Sequence, residues 1–242
     1  MPFTFSHPAA VLPLTYLPKK WISMTGLMIG SLSPDFEYFF RMKVYSIYSH
    51  TWGGLLWFDL PMTLILAFIF HLIVRNNLID NLPIFWFTRL EVYKNFNWKE
   101  YFTQNFIIVI ISSIIGIATH ILWDDFTHEQ GQFVQSIAEL KNTFTIAGFS
   151  IPTYKLLQHA STILGEVFVV YALLKLPKRK TILSLKSILP FWISVGFIAL
   201  TIVAIRLLTG LDYKLYGNVI TTLIAGGLIG LVVTTKLLPQ KI

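Results

Sequence analysis

No cysteine occurs in the 242 residues, which excludes a disulfide framework, thiolate catalysis and any zinc site built on sulfur. Charge is scarce as well. Asp, Glu, Lys and Arg make up 13% of the chain, about half the roughly 25% of ordinary globular proteins. The apolar share of 55% excludes a solvated disordered coil, and it exceeds what a soluble enzyme of this size can hide from water. The net charge of +7 does not make a nucleic-acid surface, because the lysines and arginines are scattered between apolar runs. A cleavable leader is also missing: MPFTFSHPAAVLPL has no basic n-region and is interrupted by prolines, so the mature chain is expected to begin near Met1. What these absences leave is an integral membrane protein whose surroundings are lipid.

A bilayer core about 30 Å thick is crossed by roughly 20 helical residues. Five stretches meet or approach that length: Gly53–Val74, Asn105–Trp123, Ala160–Leu176, Ile188–Leu208 and Val219–Leu238. The third is short and requires an extension toward Tyr154. A sixth, Trp21–Leu32, cannot span and reads as an interfacial or buried helix. The expected fold is therefore all-α, a polytopic membrane helix bundle forming one domain over residues 1–242.

Loop charges orient the spans. Arg75, Arg89, Lys94, Lys99, Lys175, Lys178, Arg179, Lys180, Lys186, Lys236 and Lys241 fall on one side, eleven against the eight others. The cluster KLPKRK at 175–180 is the strongest pointer, and it favours an outside N-terminus and a cytoplasmic C-terminus. The loop at 84–102 reads as an interfacial helix, with Phe85, Trp86, Phe87, Trp98 and Tyr101 at headgroup level and Arg89, Lys94 and Lys99 reaching phosphates. His71 and Arg75 read as interface residues on that side. In the last span Gly226 and Gly230 lie four apart, a spacing that lets helices approach closely, with packing inside the monomer preferred over dimerisation.

Of the six histidines, all except His71 fall on or beside the other face of the membrane, together with Asp35, Asp124, Asp125 and, one span in, Glu166. The sharpest element is HILWDDFTH. At about 100° per residue, His120, Asp124 and His128 stay on one helical face while Asp125 turns away. Imidazole and carboxylate together form a mixed set suited to zinc, manganese or iron, although three ligands on consecutive turns cannot easily share one ion. The competing reading is a helix end satisfied by water and caps. In FTFSHPAAVL, Ser6 is expected to cap a helix that begins at His7, and Ser33 with Pro34 repeats the arrangement before Asp35. His50 stands just before the first span, and Asp59 just inside it. His159 and Glu166, seven apart, face the same way. Glu166 is open to three roles: completing a metal site, acting as a base, or pairing with His159.

The segments MPFTFSHPAAVLPL, GSLSPDFEYF, SHTWGGLLWFDLP and HILWDDFTH together resemble a bacterial membrane family, domain-of-unknown-function family 4184, over most of residues 1–175. More distantly the chain is similar to inner-membrane metal-dependent hydrolases with an early His, a Pro-Asp, a His-Ser or His-Thr and a later His. Those in turn share their ligand order with the zinc-dependent phospholipase C and P1 nuclease superfamily. This resemblance implies His7, Asp35, His50, His120, Asp124 and His128 as metal ligands. The secreted enzymes' N-terminal tryptophan ligand has no counterpart here. Their later HxxxE pair is replaced only loosely by His159 and Glu166, which enter as a further ligand and the catalytic carboxylate.

The resulting expectation is a metal-dependent hydrolase of the bacterial inner membrane. It would use a divalent metal, zinc first, on an amphiphilic phosphoester. The competing expectations are an ion- or proton-coupled transporter and a scaffold stapled by a structural metal. A continuous polar path is hard to build, because the interiors of the last two spans carry nothing beyond Ser and Thr until Arg206 and Lys236 near their ends.

Overall fold

The computed structural model describes residues 3–146, 148–179 and 188–238. Lys180, Lys186 and Lys241, three of the charges used to orient the spans, lie outside the described residues. In chain order the helices are α1 (Pro8–Val11), α2 (Met24–Gly30), α3 (Phe36–Arg41), α4 (Leu55–Asp80), α5 (Ile84–Leu90), α6 (Trp98–Gln104) and α7 (Phe106–Thr127). An antiparallel hairpin, β1 (Thr143–Ile146) and β2 (Phe149–Pro152), precedes α8 (Thr153–Lys175), α9 (Leu189–Leu208) and α10 (Tyr216–Leu237). Five of these helices, α4 and α7 to α10, are long and apolar enough to cross a membrane. The all-α, five-span reading holds.

Several boundaries move: the second spanning helix runs on past Trp123 to Thr127 and the last begins at Tyr216. The first span continues past Val74 to Asp80, and the third extends back to Thr153, as its short apolar run required. The hairpin was not anticipated. Its turn uses Gly148 at φ +84°, a conformation glycine adopts without steric cost.

The chain divides into two compact units. The first comprises Met1–Asp35, Ile47–Leu64 and Gln104–Lys175. Lipid tails are as apolar as leucine side chains, so helices in a bilayer associate by close packing rather than by escape from water. Small residues make that possible between α2 and α7. A Cβ on Gly30 would lie 2.5 Å from the Ser113 carbonyl oxygen, and one on Gly116 only 2.4 Å from that of Leu27. Ser23 caps α2 by accepting the Gly26 N–H at 3.2 Å, and its own N–H donates to Ser112 Oγ at 2.8 Å. The short stretch before residue 32 is thus a buried helix. On α8, Gly165 rests against Ser6, and Thr162 Oγ1 accepts the Phe3 N–H at 3.1 Å.

The second unit comprises Phe36–Ser46, Ile65–Thr103 and Leu176–Ile242. Here Gly226 meets Ala199 and Gly230 meets Val195, so the small-residue spacing of α10 serves packing on α9. The interfacial reading of three residues is corrected. Trp98 is 1% exposed, because Phe68 and Phe102 meet its ring edge-on and tilted while His71 stacks on it at 4.7 Å. Arg75 is buried and donates to the carbonyls of Phe96 (2.8 Å) and Lys94 (3.0 Å), so it closes the loop back onto the span. Arg89 is also buried, bonded to the Phe85 carbonyl and lying over that ring.

Candidate metal centre

The first unit gathers polar side chains at one end of α7. His120 and Asp124 sit one turn apart on its buried face, as their spacing predicts. Close packing of α2 brings the Ser31 carbonyl to 2.7 Å from His120 Nδ1. A carbonyl only accepts, so Nδ1 carries a proton and Nε2 is the atom turned to the rest of the cluster. His7 is the residue before α1, with Pro8 opening the helix, and its ring stacks on that of His120 with centroids 3.6 Å apart. Asp35 ends a 3₁₀ turn of Ser33–Asp35, fully buried, and its Oδ2 accepts the Thr4 hydroxyl at 2.5 Å. His50 holds φ at +59°, a left-handed conformation uncommon outside glycine. Its Nδ1 lies 2.9 Å from Ser49 Oγ.

Two expected caps are corrected. Ser6 and Ser33 both lie inside 3₁₀ turns, so their hydroxyls bond back to the carbonyls of Phe3 and Gly30 instead of capping a helix ahead.

Four ligand atoms converge. His50 Nε2 is 3.2 Å from Asp35 Oδ1, 3.4 Å from Asp124 Oδ2 and 3.3 Å from His120 Nε2. His120 Nε2 is 3.6 Å from each of the same two carboxylate oxygens. Separations of that length are those between donor atoms that share one ion, for which zinc bonds to nitrogen or oxygen run about 2.0–2.2 Å. His7 Nε2 stands 3.6 Å from the other oxygen of Asp124. Two overlapping triads, His7–Asp35–His120 and His50–His120–Asp124, have donor atoms close enough to hold an ion. His7 Nε2 and both Asp124 oxygens are buried without a hydrogen-bond partner among the described residues.

The electrostatics of the groups outside the spans follow from this crowding. Burial, reinforced by the neighbouring His120, lowers the His7 pKa to about 3, so that ring is neutral and its lone pair available. Burial would raise Asp35, but His120 and the hydrogen bond from His50 outweigh it and hold the carboxyl below its usual value. For His50, burial is outweighed by the Asp124 and Asp35 carboxylates beside it, which push its pKa up to about 10.

Of the seven expected ligands, five meet: His7, Asp35, His50, His120 and Asp124. His128 lies just beyond the end of α7, with extended backbone. Its Nδ1 donates to the Asp124 carbonyl at 3.0 Å, and its Nε2 is buried and unpartnered among the described residues. His159 and Glu166 are not brought to the set. The buried side of α8 is Tyr154, Gln158 and Gly165. One further residue turns the helix by about 100°, which leaves His159 exposed and Glu166 half-buried. Asp59 is buried but belongs to neither triad. Asp125 faces away as predicted, accepting the Gln132 N–H at 3.2 Å. Residues not foreseen are Thr4, Ser31 and Ser49, which orient the ligands. Thr4 stands three residues before His7, with nothing in its surroundings to single it out, and Ser31 acts through its backbone.

Fold and site together define a polytopic helical membrane protein with a buried imidazole–carboxylate centre at one end of a span. The chain belongs to the family described as domain of unknown function (DUF4184), whose family model matches residues 1–236 and so includes the last two spans. No curated protein and no solved structure matches it.

Proposed function

We propose that this chain is a membrane-embedded metal-dependent hydrolase. Asp35, His50, His120 and Asp124 would hold one divalent ion, with His7 as an adjoining donor. The observation that carries the reading is the convergence of four ligand-type atoms, from Asp35, from His50 and from two residues one turn apart on α7. A proton on His50 is the competing occupant. It serves one or two acceptors and leaves two buried carboxylates opposed by a single positive charge. A divalent ion satisfies all four atoms and balances both carboxylates.

When bound, such an ion supplies Lewis acidity, making water nucleophilic near neutral pH and drawing charge from an ester oxygen. Asp35 is held for this by the Thr4 hydroxyl, and His120 by the Ser31 carbonyl. In hydrolysis of a phosphoester, the water oxygen bonds to phosphorus, the ester P–O bond breaks and the leaving alkoxide takes up a proton. His7 Nε2 and Asp124 Oδ1, 3.6 Å apart, are the acceptors placed to hold that proton in transit. An amphiphilic substrate suits a centre at the end of a span, and the loop charges support a bacterial inner-membrane protein with this end outside.

The test is metal analysis of the purified protein before and after chelation, paired with turnover of bis(p-nitrophenyl) phosphate. The expected result is about one metal per chain and turnover lost on chelation and restored by zinc. A metal-free wild type overturns the centre. Tightly held metal without turnover overturns the hydrolase and leaves a staple. For sidedness, a reporter active only outside the cytoplasm should work when fused after residue 145 and fail after residue 180.

A further inference from the structure

The hairpin between α7 and α8 sorts its side chains by face. Opposite residues of an antiparallel pair share a face, and neighbours along a strand alternate. The register Phe144↔Ile151 and Thr145↔Ser150 therefore puts Phe144, Phe149 and Ile151 on one face and Thr143, Thr145 and Ser150 on the other. The apolar face is uncovered: Phe144 is 52% exposed and Phe149 73%. A two-stranded hairpin on its own is marginal in water. Its height along the spans is set by α8. The Thr153 N–H and hydroxyl both donate to the Asn142 carbonyl, at 2.8 and 2.9 Å, which clamps the base of the hairpin to the first residue of that helix. With 23 residues, α8 is about 34 Å long, against a hydrocarbon core of about 30 Å. Its ends therefore sit at the two boundaries. Lys175 closes one end over the Tyr171 ring, and exposed Lys155 stands at the other, both able to reach phosphates. Exposed His159, one turn further in, sits on a Cα–Cβ bond that tilts back toward that boundary.

We infer that the hairpin is a membrane-surface element, laid on the lipid leaflet at the metal-centre end of the spans. Phe144, Phe149 and Ile151 face the acyl edge, and Thr143, Thr145 and Ser150 face water. The backbone limits the depth. Each strand has one open edge, with N–H and C=O groups that hydrocarbon cannot satisfy. The hairpin therefore lies flat at headgroup level, where water and phosphates serve those groups, and goes no deeper. A second protein is the competing occupant of the apolar face. Continuity favours the bilayer, because the hairpin runs directly into a span that already turns Ile163, Val167 and Phe168 outward, each more than half exposed. The inference rests on the five-span architecture and not on what the metal centre holds.

The test exploits the lack of cysteine, which makes single-site labelling clean. Phe149→Cys, Ser150→Cys and, as a lipid reference, Ile163→Cys are each labelled with a nitroxide. All three positions are exposed, so the label should be tolerated. In phosphatidylcholine nanodiscs, collision rates are read with oxygen, which concentrates in lipid, and with a water-soluble nickel chelate. Oxygen should dominate at 149, as at 163, and the nickel chelate should dominate at 150. Nickel access at 149 equal to that at 150 would put the hairpin in water and overturn the inference. Shielding of both hairpin labels from both reagents would overturn it in favour of a protein cover. Oxygen dominant at both would mean a submerged hairpin, which overturns the flat placement. Adding Phe144→Ser and Ile151→Ser to Phe149→Cys should raise nickel access at 149 to the level seen at 150. An unchanged rate would show that the apolar face is not what holds the hairpin to the leaflet.

Discussion

Buried polar clusters of the two units obey opposite rules. Around Arg75 donors meet acceptors: the guanidinium donates to two backbone carbonyls, to Asn76 Oδ1 and toward His71 Nδ1. Around His120, imidazole nitrogens and carboxylate oxygens crowd within 3.2–3.6 Å of one another, with no lysine or arginine among them. His71 and His120 are both stacked on an aromatic ring, so residue type and packing do not distinguish them. The sign of their neighbours does. A cluster completed by its own guanidinium is architecture, whereas one of imidazoles and carboxylates is the donor set that the proposed ion would complete.

The comparison breaks most sharply at the ligands. Asp124→Asn keeps shape but removes charge, and His120→Ala removes a donor, so both should purify without metal, while Asp125→Asn keeps it. Equal metal in all three proteins would make the His120 cluster architecture too. Next in size is Arg75→Met, which strips the Lys94 and Phe96 carbonyls of their donor. It should cost about 2–6 kcal/mol of stability, at 1–3 for each group left unsatisfied, with metal per folded chain unchanged. Thermal unfolding in detergent with metal analysis on the surviving fraction checks both halves.

A subtler probe is Thr4→Val, which leaves Asp35 in place without its orienting hydroxyl. Metal affinity should fall about 10- to 100-fold, the usual cost of an outer partner, read by competition with a chromophoric chelator. Unchanged affinity would mean that Asp35 is not a ligand. The smallest effect sharpens the packing side. Gly226→Ala pushes a methyl against Ala199 at 2.9 Å and should cost about 1–3 kcal/mol. Gly227→Ala, with nothing within 4 Å, should be neutral or gain up to about 1 kcal/mol of helix propensity.

Much of this architecture can be read from residues alone, because apolar runs announce spans and a spacing of four announces a shared helical face. That is how His120 and Asp124 are found together. The recurring order of His7, Asp35 and His50 supplied the rest of the set by resemblance, since helix periodicity cannot join residues 70 or more positions apart. Other features depend on tertiary partners. Trp98 looks interfacial until His71 and Phe102 cover it, and Arg75 looks like a span terminus until carbonyls 19 and 21 residues away receive it. Spacing places His159 and Glu166 on one side of α8, but Ser6 packing on Gly165 decides that the buried side is another one. The hairpin did leave a local trace in Gly148 between two alternating apolar segments, a turn signal that the surrounding span pattern overshadowed.

His50 is the odd member of its set in one further respect. Asp35 and His120 have fully enclosed side chains and Asp124 is 7% exposed, all three on helical turns, whereas His50 is 13% exposed on a loop whose backbone is held left-handed. Of the four, His50 is therefore the one nearest the outside. If the set holds an ion, the same side chain both grips it and stands at the way in, so replacing His50 would change retention and exchange together.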